Sequence, residues 1–521
     1  EIMPSLVGSE MCIRDRIRIM KKKPFIITII MVIAILIAVI ITKHFWAYNK
    51  NETLLTQSSQ NYIDTIVKSD MKSGDIPGAS ILIIKDNKVF LNKGYGYANV
   101  EKKIKAKPTT RYEIASNTKA FTGYAILELA KNGKLSLNDH ISKYIPGFYM
   151  KYDDKKQDIT IKQLLGQKSV IPADITSEDQ TEVYGDSIKN LVQSIKGKEL
   201  NHKPGDTFEY SNMNYDILGL IIQNVSKESY NTYIKDHILE PLDMEHTTFK
   251  KTNSKNKHEA VGYEQSGGAI KKSAPSFNIG DTPSAFLMSN TRDLEHWVKM
   301  QLAPSSKTKD IVKASQKTIN ESQGEDDANG YAAGWFTNAH ADYIYHTGTL
   351  DNYSSVILLN PKKSYGIVVL ANMNSNKVTQ LADHLNAQVM NHKHYTTIET
   401  KIDQAHNINV IISIISMIGV VISLYFILRR LFAIKHGKYK VQRSKASLYA
   451  FILVMVAFVL ISVAMYLLPY FVLGNNSWSF VMTWLPSHAK WALFSFYSCI
   501  ILITILLVII ILSQKRTLHS N

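Results

Sequence analysis

The distribution of apolar positions divides the chain into a mixed middle and two apolar ends. Phe25 to Thr42 carries no charge and comes after Met20-Lys21-Lys22-Lys23. Near the other end, Ile408 to Leu428, Leu448 to Leu468 and Trp491 to Leu512 are again uncharged. Each approaches the roughly 20 residues that a helix needs to cross a hydrocarbon core. The lysines before Phe25 place the start of the first run inside and the domain after it outside. Arg429, Arg430, Lys435, Lys438, Lys440, Arg443 and Lys445 place the loop between the next two runs inside, and Lys515-Arg516 lies inside after the last run. The loop from Gly474 to Lys490, with a single lysine and two tryptophans, fits the outer interface. Residues 20–43 therefore read as an N-terminal transmembrane anchor, uncleaved because no small-x-small site comes after it. Residues 405–515 read as three further spans, about 408–428, 448–468 and 491–512. Glu1 to Ile19 shares no pattern with the rest of the chain and reads as a non-native leader.

Between these ends, residues 55–395 carry the periodicities of a folded domain. Ile63, Ile66, Val67 and Met71 have helical spacing, broken at Pro77-Gly78. Ala79 to Ile84 and Lys88 to Asn92 are β-rich runs around Asp86-Asn87, a hairpin signal. Ala120, Phe121, Tyr124, Ala125, Leu127 and Leu129 mark a helix. Tyr215, Ile217, Leu218, Leu220, Ile221, Ile222 and Val225 mark another, and Pro283 to Met300 a third. From Tyr331 the pattern turns to closely spaced strands: Gly334-Trp335-Phe336, Tyr343 to His346, Ser354 to Leu359 and Gly366 to Ala371. Val378 to Met390 reads as a packing helix. Such an order predicts an α+β domain with an antiparallel meander.

Charge changes the picture less than its total suggests. The net charge is +16, but Lys50 to Asp403 holds 43 basic and 41 acidic residues. The excess flanks the apolar runs, which makes it a membrane-topology signal and excludes a nucleic-acid surface. Cys12 and Cys499 leave no disulfide framework or cysteine metal site in the middle. His384, His392 and His394 lack the spacing of a zinc metalloprotease motif and read as surface histidines; no metal or cofactor is expected.

Three short motifs carry candidate chemistry. Ser116-Asn117-Thr118-Lys119 stands at the start of an apolar helix. If that helix begins at Ser116, Lys119 lies one turn on, on the same face. A serine hydroxyl needs a base, and a partly desolvated amine can act as one. Unpaired N–H groups at the helix start are available to an oxyanion. Tyr210-Ser211-Asn212 comes after a Pro-Gly turn; a tyrosine near a lysine can act as a base, and an amide can orient substrate carbonyls. His346-Thr347-Gly348-Thr349 ends a strand, where glycine admits a substrate backbone and the Thr349 N–H can serve as a second oxyanion donor.

In this order, Ser-x-x-Lys, Tyr-x-Asn and His-Thr-Gly together resemble the serine β-lactamase and penicillin-binding-protein superfamily, in its class C-like branch. The resemblance spans about Asp64 to His394. It includes Ile76-Pro77-Gly78-Ala79, Lys203-Pro204-Gly205, Asp293-Leu294-Glu295-His296-Trp297 and Tyr365-Gly366-Ile367-Val368-Val369-Leu370-Ala371-Asn372. It implies the serine β-lactamase/DD-peptidase fold, an antiparallel sheet with flanking helices plus a helical subdomain. It also implies a mechanism. Ser116 attacks a carbonyl and forms an acyl-enzyme, while Lys119 and Tyr210 share the proton work. The N–H groups of Ser116 and Thr349 hold the oxyanion, Asn212 positions substrate, and His346 binds or polarises it. The family usually has Ser-His-Thr-Ser-Gly where this chain has Gly166-Gln167-Lys168-Ser169-Val170, and the missing glycine bears on the shape of that loop.

The expectation is an outward-facing serine hydrolase in the cell membrane, of esterase, D-aminopeptidase or DD-peptidase type. Its substrate would be a cell-envelope polymer or peptide, carrying D-alanyl esters or D-amino-acid amides. The alternative is a membrane-tethered binding or sensory protein that keeps the fold without turnover. A transporter is a weaker reading, because the three C-terminal runs contain no Asp, Glu, Lys or Arg.

Overall fold

The computed structural model describes residues 60–515 except 174, 176–187, 250–257, 267–268, 274–278, 322–329, 339–341, 391–398, 442–443, 473–477, 479–481 and 483–486. The expected leader and N-terminal anchor lie outside the described residues. The chain divides into two units, 1–62 and 63–521, and the second carries the sheet and the site.

Nine strands form one antiparallel sheet: β1 (Gly78–Lys85), β2 (Lys88–Asn99), β3 (Ile104–Lys105), β4 (Asn320–Glu321), β5 (Gly330–Tyr331), β6 (Phe336–Asn338), β7 (Tyr343–Leu350), β8 (Tyr353–Asn360) and β9 (Tyr365–Ala371). Their order across the sheet is β4-β5-β6-β7-β8-β9-β1-β2-β3. The first strand thus pairs with the last, from Ala79 opposite Ala371 to Lys85 opposite Tyr365. The Asp86-Asn87 turn has φ of 52° and 60°, the doubly left-handed geometry that matches strand twist in a tight hairpin.

The sequence of β1 is apolar at nearly every position because both faces of the sheet are covered. Ile81 and Ile83 pack with Ile63 and Val67 of helix α1 (Gln60–Ser73) and with Leu381 and Leu385 of α8 (Lys377–Val389). Leu82 and Ile84 face the other core, which holds Phe121 of α2 (Thr118–Lys131) and Leu294 and Trp297 of α7 (Thr291–Leu302). Phe121 and Trp297 stack with ring centroids 4.0 Å apart. Each such fully buried side chain contributes about 1.5–3 kcal/mol. Among the elements between α2 and α7 are α3 (Ile161–Leu165), α4 (Asn212–Ser226), α5 (Tyr230–Ile234) and α6 (Thr282–Ala285). Antiparallel sheet, flanking helices and helical insertion make this the expected serine β-lactamase/DD-peptidase architecture.

Three expectations change. Ser116 lies in a 3₁₀ turn, Ala115–Asn117, and the α-helix starts two residues later at Thr118. The run Pro283 to Met300 is not one helix. It splits because Met288–Ser289 pairs with Tyr112–Glu113, after which Asn290 caps a new helix by accepting from Asp293 N at 2.9 Å. The expected strand at Gly334 begins only at Phe336, since Gly334 turns the chain with φ of 87°.

The C-terminal helices are α9 (Glu399–Lys435), α10 (Lys445–Val472) and α11 (Ser487–Ile511). Within them Ile411–Lys435, Lys445–Leu467 and Lys490–Ile511 are long and apolar enough to cross a membrane. Gly419 lets α9 approach α11 closely: a Cβ there would sit 2.5 Å from Cys499 Sγ. Arg430 ties the ends of α9 and α11 by donating to Ser513 Oγ at 2.9 Å and Ser513 O at 2.8 Å.

Candidate active site

The turn that carries Ser116 is built by its neighbours. Ala115 has φ of 49°, a left-handed conformation that costs a non-glycine residue about 1–2 kcal/mol. Four contacts hold it there. Thr118 Oγ1 donates to Ala115 O at 2.6 Å, and Leu287 N donates to Thr118 Oγ1 at 3.2 Å. Asn117 Nδ2 donates to Ser355 Oγ at 2.8 Å, and Ser355 Oγ donates to Ile114 O at 2.6 Å. Ser116 itself stays half-buried while Asn117, Thr118 and Lys119 are buried.

Lys119 is fully buried and makes three contacts from Nζ: Asn212 Oδ1 at 2.7 Å, Ser284 O at 3.0 Å and Ser116 Oγ at 3.1 Å. The first two oxygens can only accept, so they take two N–H groups. The remaining direction on nitrogen points at Ser116. On a free amine that direction is the lone pair, placed to receive the hydroxyl proton. Asn212 begins α4, and Tyr210 sits two residues before it with its ring 5.0 Å from Lys119 Nζ. Phe336 and His346 each lie 6.0 Å from the Tyr210 ring, centroid to centroid.

The wall opposite is β7. Its neighbour β6 pairs only with Tyr343 to Tyr345, so the edge from His346 to Leu350 has no strand partner on that side among the described residues. Gly348 lies against the Ser116 turn: a Cβ there would meet Ile114 O at 2.4 Å and Ser355 Oγ at 2.3 Å. Thr347 is half-buried and Thr349 exposed, which leaves the Thr349 end of the edge open to a bound molecule.

His346 is placed differently from the expectation that it binds or polarises substrate. It is 1% exposed. Its Nδ1 lies 2.6 Å from Thr347 O, an acceptor, and its Nε2 lies 3.1 Å from the Tyr331 hydroxyl. Both contacts are satisfied by one tautomer, with Nδ1–H donating and Nε2 accepting. Burial, reinforced by the Lys119 charge, pushes this imidazole down to about 3, so it stays neutral. The ring holds the strand from behind.

Sequence reasoning did not single out Gln167. Its φ is 56° and it is fully buried. Its carbonyl accepts from Glu209 N at 2.9 Å and its Oε1 from Ser211 N at 3.0 Å, so one residue fixes both neighbours of Tyr210. Asn214 Nδ2 donates to the same Oε1. The signal was the departure from Ser-His-Thr-Ser-Gly. Asn117, Ser284 and Ser355 also escaped notice, the last two because only the fold brings them to Ser116. Of the three histidines weighed as ligands, His384 pairs with Asp70 at 2.7 Å, and His392 and His394 lie outside the described residues.

A sheet whose β7 edge faces a Ser-x-x-Lys turn, with Tyr-x-Asn closing the third side, defines a class of protein that family comparison also identifies. The beta-lactamase family model matches residues 63–391, and the chain belongs to that family. Among known proteins, the protein named flp of Staphylococcus aureus strain MW2 is 51% identical over 462 residues, covering 89% of this chain and 92% of the relative. The chain is thus similar to the staphylococcal FmtA-like protein over a stretch longer than the family domain itself. The octameric penicillin-binding protein homologue from Pyrococcus abyssi shares the fold with a TM-score of 0.58 and 29% identity, over 64% of this chain and 78% of its own. A structure described as SurE aligns with a TM-score of 0.56 and 19% identity over 65% and 77%, a likeness of fold alone.

Proposed function

We propose that the chain is a membrane-anchored, outward-facing serine hydrolase that acts through a Ser116 acyl-enzyme on a cell-envelope ester or amide. D-alanyl esters and D-amino-acid peptides are the substrate classes it would take. The observation that carries this reading is the coordination of Lys119, with two N–H groups on carbonyl oxygens and its remaining direction on Ser116 Oγ. Ser116 Oγ bonds to the substrate carbonyl carbon as its proton passes to Lys119. The oxyanion is held by the N–H groups of Ser116 and Thr349. Tyr210, beside Lys119, returns the proton to the leaving alcohol or amine, and water then cleaves the acyl bond. Asn212 orients both Lys119 and the substrate. His346 acts through β7, by fixing Thr347 to Thr349. The three apolar C-terminal helices support a place in the membrane, and the positive loops beside them support an outward site.

A fluorophosphonate probe tests the reading. Ser116 Oγ attacks phosphorus, fluoride leaves, and the label stays on the protein. Labelling should occur in the full-length protein and vanish in Ser116→Ala. Labelling that survives the substitution, or none in the unaltered protein, would sink the assignment.

A further inference from the structure

One end of the open β7 edge is closed by an aromatic side chain that the proposed mechanism leaves unused. Phe336 pairs with Tyr345 as the last rung between β6 and β7, so it stands where that edge begins. On its other side it pairs with Tyr331 of β5. The turn between β5 and β6 is tightened by Ala332 N, which donates to Trp335 O at 2.8 Å. The turn is seated on α2: a Cβ at Gly334 would fall 2.5 Å from Ala120 N, and one at Gly123 would fall 2.5 Å from Ala333 O. Phe336 is thus held against the same helix that carries Lys119.

Its ring reaches the site. Trp335 and Thr337 on either side are buried, while Phe336 is half-buried. The ring lies nearly parallel to that of Tyr210, with 15° between planes and 6.0 Å between centroids. It is 5.0 Å from the rings of both Tyr331 and His346. Tyr210, which returns the proton, must stand on the leaving group's side of the scissile bond. The exposed Thr349 end of the edge leaves room for the acyl side. The leaving group is therefore bounded by Phe336, and this wall presents ring carbon. The two nitrogens of the buried His346 are taken by Thr347 O and the Tyr331 hydroxyl, so neither is turned towards a leaving group.

We propose that Phe336 sets specificity on the leaving-group side: the wall admits the neutral alcohol of an ester and discriminates against a leaving group with a carboxylate beside the scissile bond, such as the terminal residue of a peptide. The inference rests on the acyl-enzyme reading and chooses between its two substrate classes. Ser116 Oγ bonds to the acyl carbon, the ester C–O bond breaks, and the alcohol oxygen takes the proton that Ser116 gave up. A neutral alcohol gives up little hydration against ring faces. A carboxylate there loses hydration with no donor to replace it.

The N-acetyl-D-alanyl esters of D-lactate and of D-lactamide test this on the full-length protein in bilayer discs. They share the acyl group and the scissile bond and differ by one charge. Release of lactamide should exceed that of lactate by at least about 10-fold in kcat/KM. Equal rates, faster release of lactate, or neither ester consumed by protein that the fluorophosphonate labels would overturn the inference. Failure of labelling would instead sink the serine hydrolase reading, and the inference with it. Phe336→Lys places an ammonium in the wall and should move the ratio towards lactate by at least about 10-fold. Phe336→Gln adds N–H donors without charge and should move it less, and Phe336→Leu should keep it. Labelling of Ser116 shows which variants retain the site, and Phe336→Gln decides where Phe336→Lys disrupts it. A merely structural role would slow both esters alike, and a ratio unmoved by these two polar substitutions removes Phe336 from the account.

Discussion

Replacing Gly348 by alanine tests whether the distance between β7 and the Ser116 turn sets the rate. The added methyl would lie 2.4 Å from Ile114 O and 2.3 Å from Ser355 Oγ, about 1 Å inside ordinary contact. Neither obstacle can yield. Ile114 O is backbone, and Ser355 Oγ is locked between Asn117 and Ile114. The strand must therefore back away by about 1 Å, taking the Thr349 N–H with it. A misplacement of that size costs about 100-fold, and loss of one oxyanion donor about 100- to 1,000-fold in kcat. Overpacking also lowers stability by about 1–3 kcal/mol, so a control is needed. Gly366→Ala supplies it. On β9, its methyl would meet Val298 Cγ1 at 2.6 Å and Leu359 Cδ2 at 3.1 Å, overpacking the same sheet away from the site. The assay is ester turnover and probe labelling on full-length protein, alongside thermal melting. Gly348→Ala should lose at least about 100-fold in kcat while Gly366→Ala melts earlier with kcat retained. Equal losses in the two variants, or normal turnover by Gly348→Ala, would refute the claim that this gap positions the oxyanion donor.

Other residues of the domain and of the apolar C-terminal segment carry three more expected outcomes. Lys119→Ala and Tyr210→Phe should each lower the acylation rate at least about 100-fold, and near-normal rates in either variant would show that the base is elsewhere. The His384–Asp70 pair between α8 and α1 should stabilise the fold only when the imidazole is charged. Its hydrogen bond to Asp70 raises the folded value, so the contribution is complete below about 6.5, the unfolded value, and fades as pH rises through the folded one. Melting of His384→Ala should accordingly trail the unaltered protein at acidic pH and close the gap in alkali; a gap independent of pH would remove the ion pair from the account. For topology, a cysteine introduced at Ser477 should react with an impermeant thiol reagent on intact cells, and reaction confined to lysed cells would invert the membrane map.

Periodicity and local chemistry account for the parts of the fold that were legible in the chain. Asp86-Asn87 announced a hairpin, and the β-rich run from Ala79 to Ile84 announced its first strand. Ser116, Lys119, Tyr210 and Asn212 were legible as motifs and converge in space. Long-range constraints were not legible. Nothing near Met288 says that it will pair with Glu113, so the helix expected from Pro283 to Met300 ran through a break made by tertiary pairing. Tyr331 opens the strand-rich region, yet nothing beside it says that its hydroxyl will face His346. The inward turn of His346 was hidden too, because a strand-end histidine looks the same whether its ring meets substrate or core.

The loop from Gly166 to Val170 shows how one departure from a family pattern is absorbed. Val170 stands where the family usually has glycine, and it keeps a left-handed φ of 57°. For a β-branched residue that is an outlier, at a cost of about 1–2 kcal/mol. Its side chain is fully buried in the core that contains Leu164 and Leu200, which returns about 1.5–3 kcal/mol. The two effects nearly cancel, so the backbone path survives without the glycine. Gln167 replaces the family's histidine in the same way. A carboxamide on a left-handed residue reaches Ser211 N and leaves the carbonyl for Glu209 N. In this chain the loop therefore supplies both acceptors beside Tyr210 from the one residue that stands at the family's histidine.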